Sequence, residues 1–257
     1  MLGGLIFGDL KHLQAGEYEI PASTSLIQIL NRLSKGDVIV YKLTIPEGLT
    51  SYEIVERLNA LPKLKDQIQE IPQDGLLFPS TYTYKKGESR TSLLIQMKNE
   101  MEKVSQHVWS TRGENSPIAS REEMLTLASL IEKETSVPAE RPIVSAVFQN
   151  RLKIGMRLQC DPTVVYAVSN GKGKMSQDLS REDLKIEHPF NTYVFAGLPP
   201  HAIANPGQSA MKAALHPANV NYLYFVADGT GGHQFSETLE LHQKNHQTWR
   251  NIRDQKK

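Results

Sequence analysis

Residues 127–152 read LASLIEKETSVPAERPIVSAVFQNRL. From Leu125 to Ile131 apolar residues crowd a helical pattern around most of its circumference, which predicts a buried helix. Two carboxylates, Glu132 and Glu134, stand at its end. At 3.6 residues per turn they lie about 200° apart. Glu132 shares a face with Leu125, Ala128 and Ser129, whereas Glu134 lies beneath Leu127, Leu130 and Ile131. A carboxyl held against apolar surroundings resists ionisation and stays protonated near neutrality, as a general acid must. An ion pair with Lys133, Arg141 or Arg151, or a solvated helix end, fits the same spacing. The spacing alone does not choose.

Working outward, Ser120-Arg121-Glu122-Glu123 reads as a capping box that opens this helix. Pro138 or Pro142 starts a second helix that runs through Leu152 and stops at Gly155. Asp161-Pro162 opens a third, with Asp161 as the cap and Pro162 in the first position. Upstream, Leu93, Leu94, Met97, Met101 and Val104 mark a helix from Ser89 to about Val108, and residues 110–120 read as loop. Downstream come loops rich in Pro and Gly: Asn191-Thr192-Tyr193, Gly197 to Pro200 and Ala204 to Gly207. Their amide and hydroxyl side chains suit a sugar-binding groove or a purely structural framework. A short helix from Ser209 to Leu215 follows. Asp228 to Gly232 then turns a hairpin between NYLYFVAD and HQFS. The polar tail predicts an exposed terminal helix, with His242 and His246 on its surface.

The first part of the chain carries an approximate repeat. Ile20-Pro21 and Ile45-Pro46 each precede an amphipathic segment, ending at Leu33 and Leu58, at a constant offset of 25 residues. Each copy predicts a short strand, a turn and a helix, with Ser25 and Thr50 as N-caps, Glu53 closing a capping box and Gly36 ending the first helix. Such a module is small enough to be marginal alone. Pro and Gly punctuation from Pro62 to Gly87 places a boundary near Gly75.

Composition excludes several classes. The 257 residues carry a formal net charge of +1, so no electrostatic bias toward nucleic acid or membrane is present. A single cysteine, Cys160, rules out an intramolecular disulfide and a cysteine-rich zinc site. The apolar run at residues 1–13 is too short to span a bilayer.

Three blocks together carry a resemblance: LASLIEKETSVPAERPIVSAVFQNRLKIGMRLQCDPTVVYAV, NTYVFAGLPPHAIANPG and ALHPANVNYLYFVADGTGGHQFSETLELH. They resemble the endolytic murein transglycosylase (YceG-like) family. The resemblance implies an α+β fold: a small LysM-like β/α module over residues 1–74, then a mixed α/β catalytic domain over residues 75–257 with a lysozyme-like glutamate on a helix. It implies non-hydrolytic cleavage of MurNAc–GlcNAc β-1,4 bonds within peptidoglycan strands, leaving 1,6-anhydro-MurNAc ends, without metal or cofactor. The family's catalytic acid is expected at the first glutamate of the E-K-E-T motif, here Glu132. Glu134, Asn150, Gln159, Asp161, Asn191 and Tyr193 are expected in the substrate-binding cleft, Glu134 also as a buried partner that steadies the helix end. The resemblance further implies an envelope enzyme held at the inner membrane by an anchor outside this chain, with peptidoglycan synthases as possible partners and no nucleic acid. Two departures stand before the catalytic domain, Asp74 where the family has Glu and Ser80 where it has Asp. A non-catalytic peptidoglycan-binding scaffold and a true hydrolase are the competing expectations.

Overall fold

The computed structural model describes residues 13–113 and 116–255. The apolar run at the start of the chain and residues 114–115 of the expected loop lie outside the described residues. Helix α1 covers Leu26–Lys35. Ser25 accepts the Gln28 N–H while the Gln28 side chain accepts the Ser25 N–H, a closed capping box. At the other end Gly36, at φ +68°, donates its N–H to the Arg32 carbonyl, a left-handed cap that glycine adopts without strain. Strand β1 (Val40–Thr44) and helix α2 (Ser51–Asn59) follow, and Thr50 with Glu53 closes a second capping box. The two repeat copies thus share their caps but not their surroundings. No residue of α1 is buried, and Ile20, Leu26 and Ile27 are exposed. In the second copy Ile45, Ile54, Val55 and Leu58 are buried. The strand expected before α1 does not form a ladder; the Glu17 carbonyl accepts one bond, from the Ile39 N–H.

Strand β2 (Thr81–Lys85) pairs antiparallel with β1, from Val40 opposite Lys85 to Thr44 opposite Thr81. Helix α3 (Arg90–Trp109) is twenty residues long, about 30 Å, and joins two cores. Leu93, Leu94 and Met97 pack with α2, β2 and Leu77; Met101 and Val108 enter the larger core further along. The buried side chain of Asn205 stitches the same region. Its Oδ1 accepts the Gly75 and Leu77 N–H groups, and its Nδ2 donates to the Leu49 carbonyl and Ser51 Oγ. Sheet, core and this amide all connect segments on both sides of Gly75.

The larger core is built from α4 (Arg121–Glu134), α5 (Arg141–Lys153), α6 (Asp161–Val168) and α7 (Gln208–Leu215), with a hairpin of β3 (Tyr224–Ala227) and β4 (His233–Ser236) and a last helix, α8 (Leu239–Gln255). Eight consecutive residues of α4, Met124 to Ile131, are buried. Three local expectations change. Glu123 reaches back to the Ala119 N–H, one residue beyond the capped Ser120, so the box at α4 is not closed. Cys160, not Asp161, occupies the N-cap of α6, and it makes no side-chain capping bond there. Asp161 is instead the first helical residue, which frees its carboxylate. Helix α8 is not a free surface helix: the His242 ring stacks on Tyr224 of β3 at 5.2 Å between centroids. The turn from Asp228 is as expected, its carboxylate accepting from the Thr230 and Gly232 N–H groups. No described helix is long and apolar enough to cross a membrane.

Arg90, buried at the start of α3, gathers the carbonyls of Leu58, Asn59, Leu61, Leu64 and Asp66, the chain leaving α2. Neutral carbonyls are its hydrogen-bond partners, so its value is the satisfaction of otherwise orphaned acceptors. Arg90→Met should lower the unfolding free energy by about 3 kcal/mol, measured by denaturant titration. A loss below about 0.5 kcal/mol would show that water replaces the guanidinium.

Candidate active site

The structure separates the two acids. Glu132 faces a junction of four segments. Its Oε1 accepts from Arg141 Nη2 at 2.7 Å, at the first residue of α5. Its Oε2 accepts the Gly207 N–H at 3.0 Å, at the N-cap of α7. The same Arg141 nitrogen reaches Glu47 Oε2 at 3.3 Å, on the loop between β1 and α2. A Cβ at Gly207 would lie 1.7 Å from Glu47 Oε1, so any larger residue there would displace the Glu47 side chain from the knot. Lys133 closes the rim by donating to the Gly48 carbonyl. The Glu132 side chain is only 5% exposed and both oxygens are occupied. Burial raises its proton affinity, the Gly207 N–H and Arg141 oppose that, and Glu47 adds to the rise; the net direction is up. The geometry suits a structural tie.

Glu134 faces the other way, into a cavity of about 440 Å³. Gln159, Asp161 and Tyr193 line the same cavity with Arg151, and the walls are completed by Tyr224 and Phe225 of β3 and by His242, His246 and Trp249 of α8. Burial pushes the Glu134 carboxyl up to about 7. A hydrogen bond with the buried Cys160 thiol works against the rise, the nearby Asp161 charge adds to it, and His233 and Arg151 oppose it. Asp161 accepts the Tyr193 hydroxyl at 2.5 Å. Gln159 holds φ at +47°, a left-handed conformation uncommon for its side chain, while its N–H is fixed by the Thr192 carbonyl. His233 is locked beside the cavity by Glu140, which accepts from both its backbone N–H and its ring, at 2.8 Å each.

Four of the six expected cleft residues, Glu134, Gln159, Asp161 and Tyr193, therefore meet in one cavity. The other two brace it from behind. Asn150 spends its amide on the Val220 and Tyr222 carbonyls, holding the approach to β3. Asn191 is buried, donates to the Leu184 and Ile186 carbonyls and accepts the Tyr193 N–H, so it shapes the loop that presents Tyr193. Asp74 is buried as well, accepting from Ser51 N and the Tyr166 hydroxyl, a link between α2 and α6. Arg151 was among the ion-pair candidates of the sequence pattern, whereas the site roles of Cys160, Trp249 and the knot residue Glu47 were not singled out by it. The His242–His246 spacing was visible in the sequence but read as surface; only its i, i+7 extension to Trp249 signalled a wall.

Glu134 is thus a helix-borne carboxyl with raised proton affinity, facing a cavity lined by amide, hydroxyl, aromatic and charged side chains. The chain belongs to the YceG-like family, whose profile matches residues 5–248. It is 34% identical to the endolytic murein transglycosylase of Bacillus subtilis, over 90% of this chain and 71% of that protein. It is 29% identical to the endolytic murein transglycosylase of Streptococcus pneumoniae (D39), over 94% of this chain but about half, 53%, of that protein. The crystal structure of a YceG-like protein from Listeria monocytogenes superposes with a TM-score of 0.69 at 32% identity, covering 93% of this chain and 87% of that one.

Two measurements check the division of roles. Arg141→Met strands the buried Glu132 carboxylate and should cost about 3–5 kcal/mol of stability. For Glu134 the folded chain keeps its proton to about pH 7, whereas the unfolded chain releases it near the ordinary value of 4.5. Stability is therefore lost as pH rises from 4.5 to 7, because ionising the buried carboxyl becomes a cost of folding. Thermal midpoints of wild type and Glu134→Gln should coincide near pH 4 and separate by pH 8, with the variant higher. Coincidence at both values would mean that Glu134 is solvated.

Proposed function

We propose that this chain is an endolytic murein transglycosylase that cleaves MurNAc–GlcNAc β-1,4 bonds within peptidoglycan strands and leaves 1,6-anhydro-MurNAc ends, with Glu134 rather than Glu132 as the acid. The observation that carries the reading is the raised Glu134 carboxyl in the cavity it shares with Gln159, Asp161 and Tyr193. The names of the relatives support the substrate and reaction class. In the first step the Glu134 proton passes to the glycosidic oxygen as the C1–O bond breaks. The C6 hydroxyl oxygen of the same MurNAc then bonds to C1, and its proton returns to the Glu134 carboxylate. No water is activated, so a second catalytic carboxylate is unnecessary, unlike ordinary glycosidases. The tethered hydroxyl has the effective-molarity advantage of an intramolecular nucleophile. The Cys160 thiol, hydrogen-bonded to Glu134, stabilises the carboxylate between the two steps.

On this reading the enzyme acts at the cell envelope, trims or terminates strands as synthases build them, and is anchored at the inner membrane in its family form. The LysM-like reading of residues 1–74 is supported by the pairing of β1 around α2, although the partner strand β2, Thr81–Lys85, lies beyond that limit.

Digestion of purified murein, followed by mass spectrometry, tests the proposal. Wild type should release anhydro-muropeptides, and Glu134→Gln should lower the rate by at least about 100-fold. Glu132→Gln, if folded, should retain measurable turnover. kcat/KM should fall as pH rises through about 7, where the free enzyme loses the acid proton. Reducing MurNAc ends would make the enzyme a hydrolase, and a folded but dead Glu132→Gln beside an active Glu134→Gln would return the acid role to Glu132.

A further inference from the structure

Helix α8 presents a continuous row of flat groups along one face. His242, His246, Trp249 and Arg253 are spaced at i, i+4, i+7 and i+11, so they share a stripe. The Tyr224 ring of β3 starts the row, stacked on His242 at 5.2 Å and 22°. His246 lies 6.3 Å from His242, Trp249 5.5 Å from His246, and the Arg253 guanidinium 5.0 Å over the Trp249 ring. All but Arg253 line the cavity that contains Glu134. The buried Nδ1 of His242 has no hydrogen-bond partner among the described residues, although a buried ring nitrogen ordinarily has one. The row from His242 to Trp249 spans about 10 Å, two helical turns.

Such a row has a specific chemical match. A pyranose ring with equatorial substituents exposes flat faces of C–H groups edged by hydroxyls and amides. Aromatic faces take the C–H groups, and imidazole nitrogens take the edges. We infer that the α8 row Tyr224–His242–His246–Trp249 is a glycan-binding wall that holds the sugars next to the scissile bond, so that the terminal helix is part of the substrate site. The inference rests on the proposed peptidoglycan-cleaving role, but it concerns binding and can fail or stand apart from it. Arg253 then supports the outer face of Trp249, keeping the indole flat against the cavity.

The test measures binding of peptide-free glycan strands to the Glu134→Gln protein, in which bound strands are not cut. Adding Trp249→Ala should weaken binding by about tenfold, and His242→Ala should also weaken it. Trp249→Phe should restore most of the loss, and Arg250→Ala, on the exposed side of α8, should change nothing. In the otherwise wild-type enzyme, Trp249→Ala should raise KM by a similar factor with kcat within about twofold. Unchanged binding by Trp249→Ala overturns the inference, as does an equal loss in Trp249→Phe with a fallen thermal midpoint, which marks α8 as structural only. If strands bind by this row but the wild type does not cut them, the catalytic proposal fails and the wall stands. If strands are cut yet Trp249→Ala binds normally, the reverse holds.

Discussion

The knot of Glu132, Arg141 and Gly207 fixes where everything else can go. A buried carboxylate is tolerated only when its charge is met and its lone pairs are occupied, and here the partners come from three helix ends. Glu132 closes the C-terminal end of α4, Arg141 begins α5, and the Gly207 N–H is an orphan donor at the start of α7. Negative charge beside the beginnings of α5 and α7 also suits their dipoles. Glu47 draws the β1–α2 loop into the same knot, and Asn205, two residues before Gly207, ties that loop to the chain around Gly75. The last turn of α4 is thereby held at both sides, and Glu134, two residues beyond Glu132, is delivered to the opposite face.

The helical period made the main decision legible. It put Glu132 and Glu134 on opposing faces of one buried helix, and the structure uses each face differently. What the period lacked was the identity of the partners. Arg141 was one of three cations within reach in the sequence, but Gly207 is 75 residues from Glu132 and Glu47 is 85 away, so only the tertiary fold shows which acid joins the knot and which faces the cavity. The family resemblance places the expected acid at Glu132; the motif carries both acids, and giving the role to Glu134 is a proposal made from the cavity it faces.

Other features of the fold were invisible to the sequence for the same physical reason. The repeat of Ile20–Leu33 and Ile45–Leu58 correctly marked two capped helices, because capping is local. It said nothing about burial, and only the second copy found a core, through β2 and α3. Pro and Gly suggest a boundary near Gly75, and punctuation of that kind is silent on the pairing of β1 with β2 across it, since strand partners are chosen by surface and register. Asn150 and Asn191 resemble ligand-seeking amides in a sequence. In the fold their hydrogens satisfy loop carbonyls that would otherwise be buried without partners.

In the proposed mechanism these braces let a single carboxyl serve both steps. Its two duties, donor and then acceptor, require that neither protonation state be strongly preferred at working pH. Burial without polar partners would hold Glu134 in the acid form, and close pairing with an exposed cation would favour the carboxylate. Glu134 lies between these limits. Burial and Asp161 favour the acid, while Cys160, Arg151 and His233 favour the base, and the balance falls at about 7. Each contributor is positioned by something rigid: Cys160 by the start of α6, Arg151 by its bonds to the Leu158 and Leu223 carbonyls, His233 by Glu140. A general acid–base of the kind proposed depends on the surrounding charges as much as on the glutamate, so on that proposal the polar framework around the cavity serves the chemistry as well as the fold.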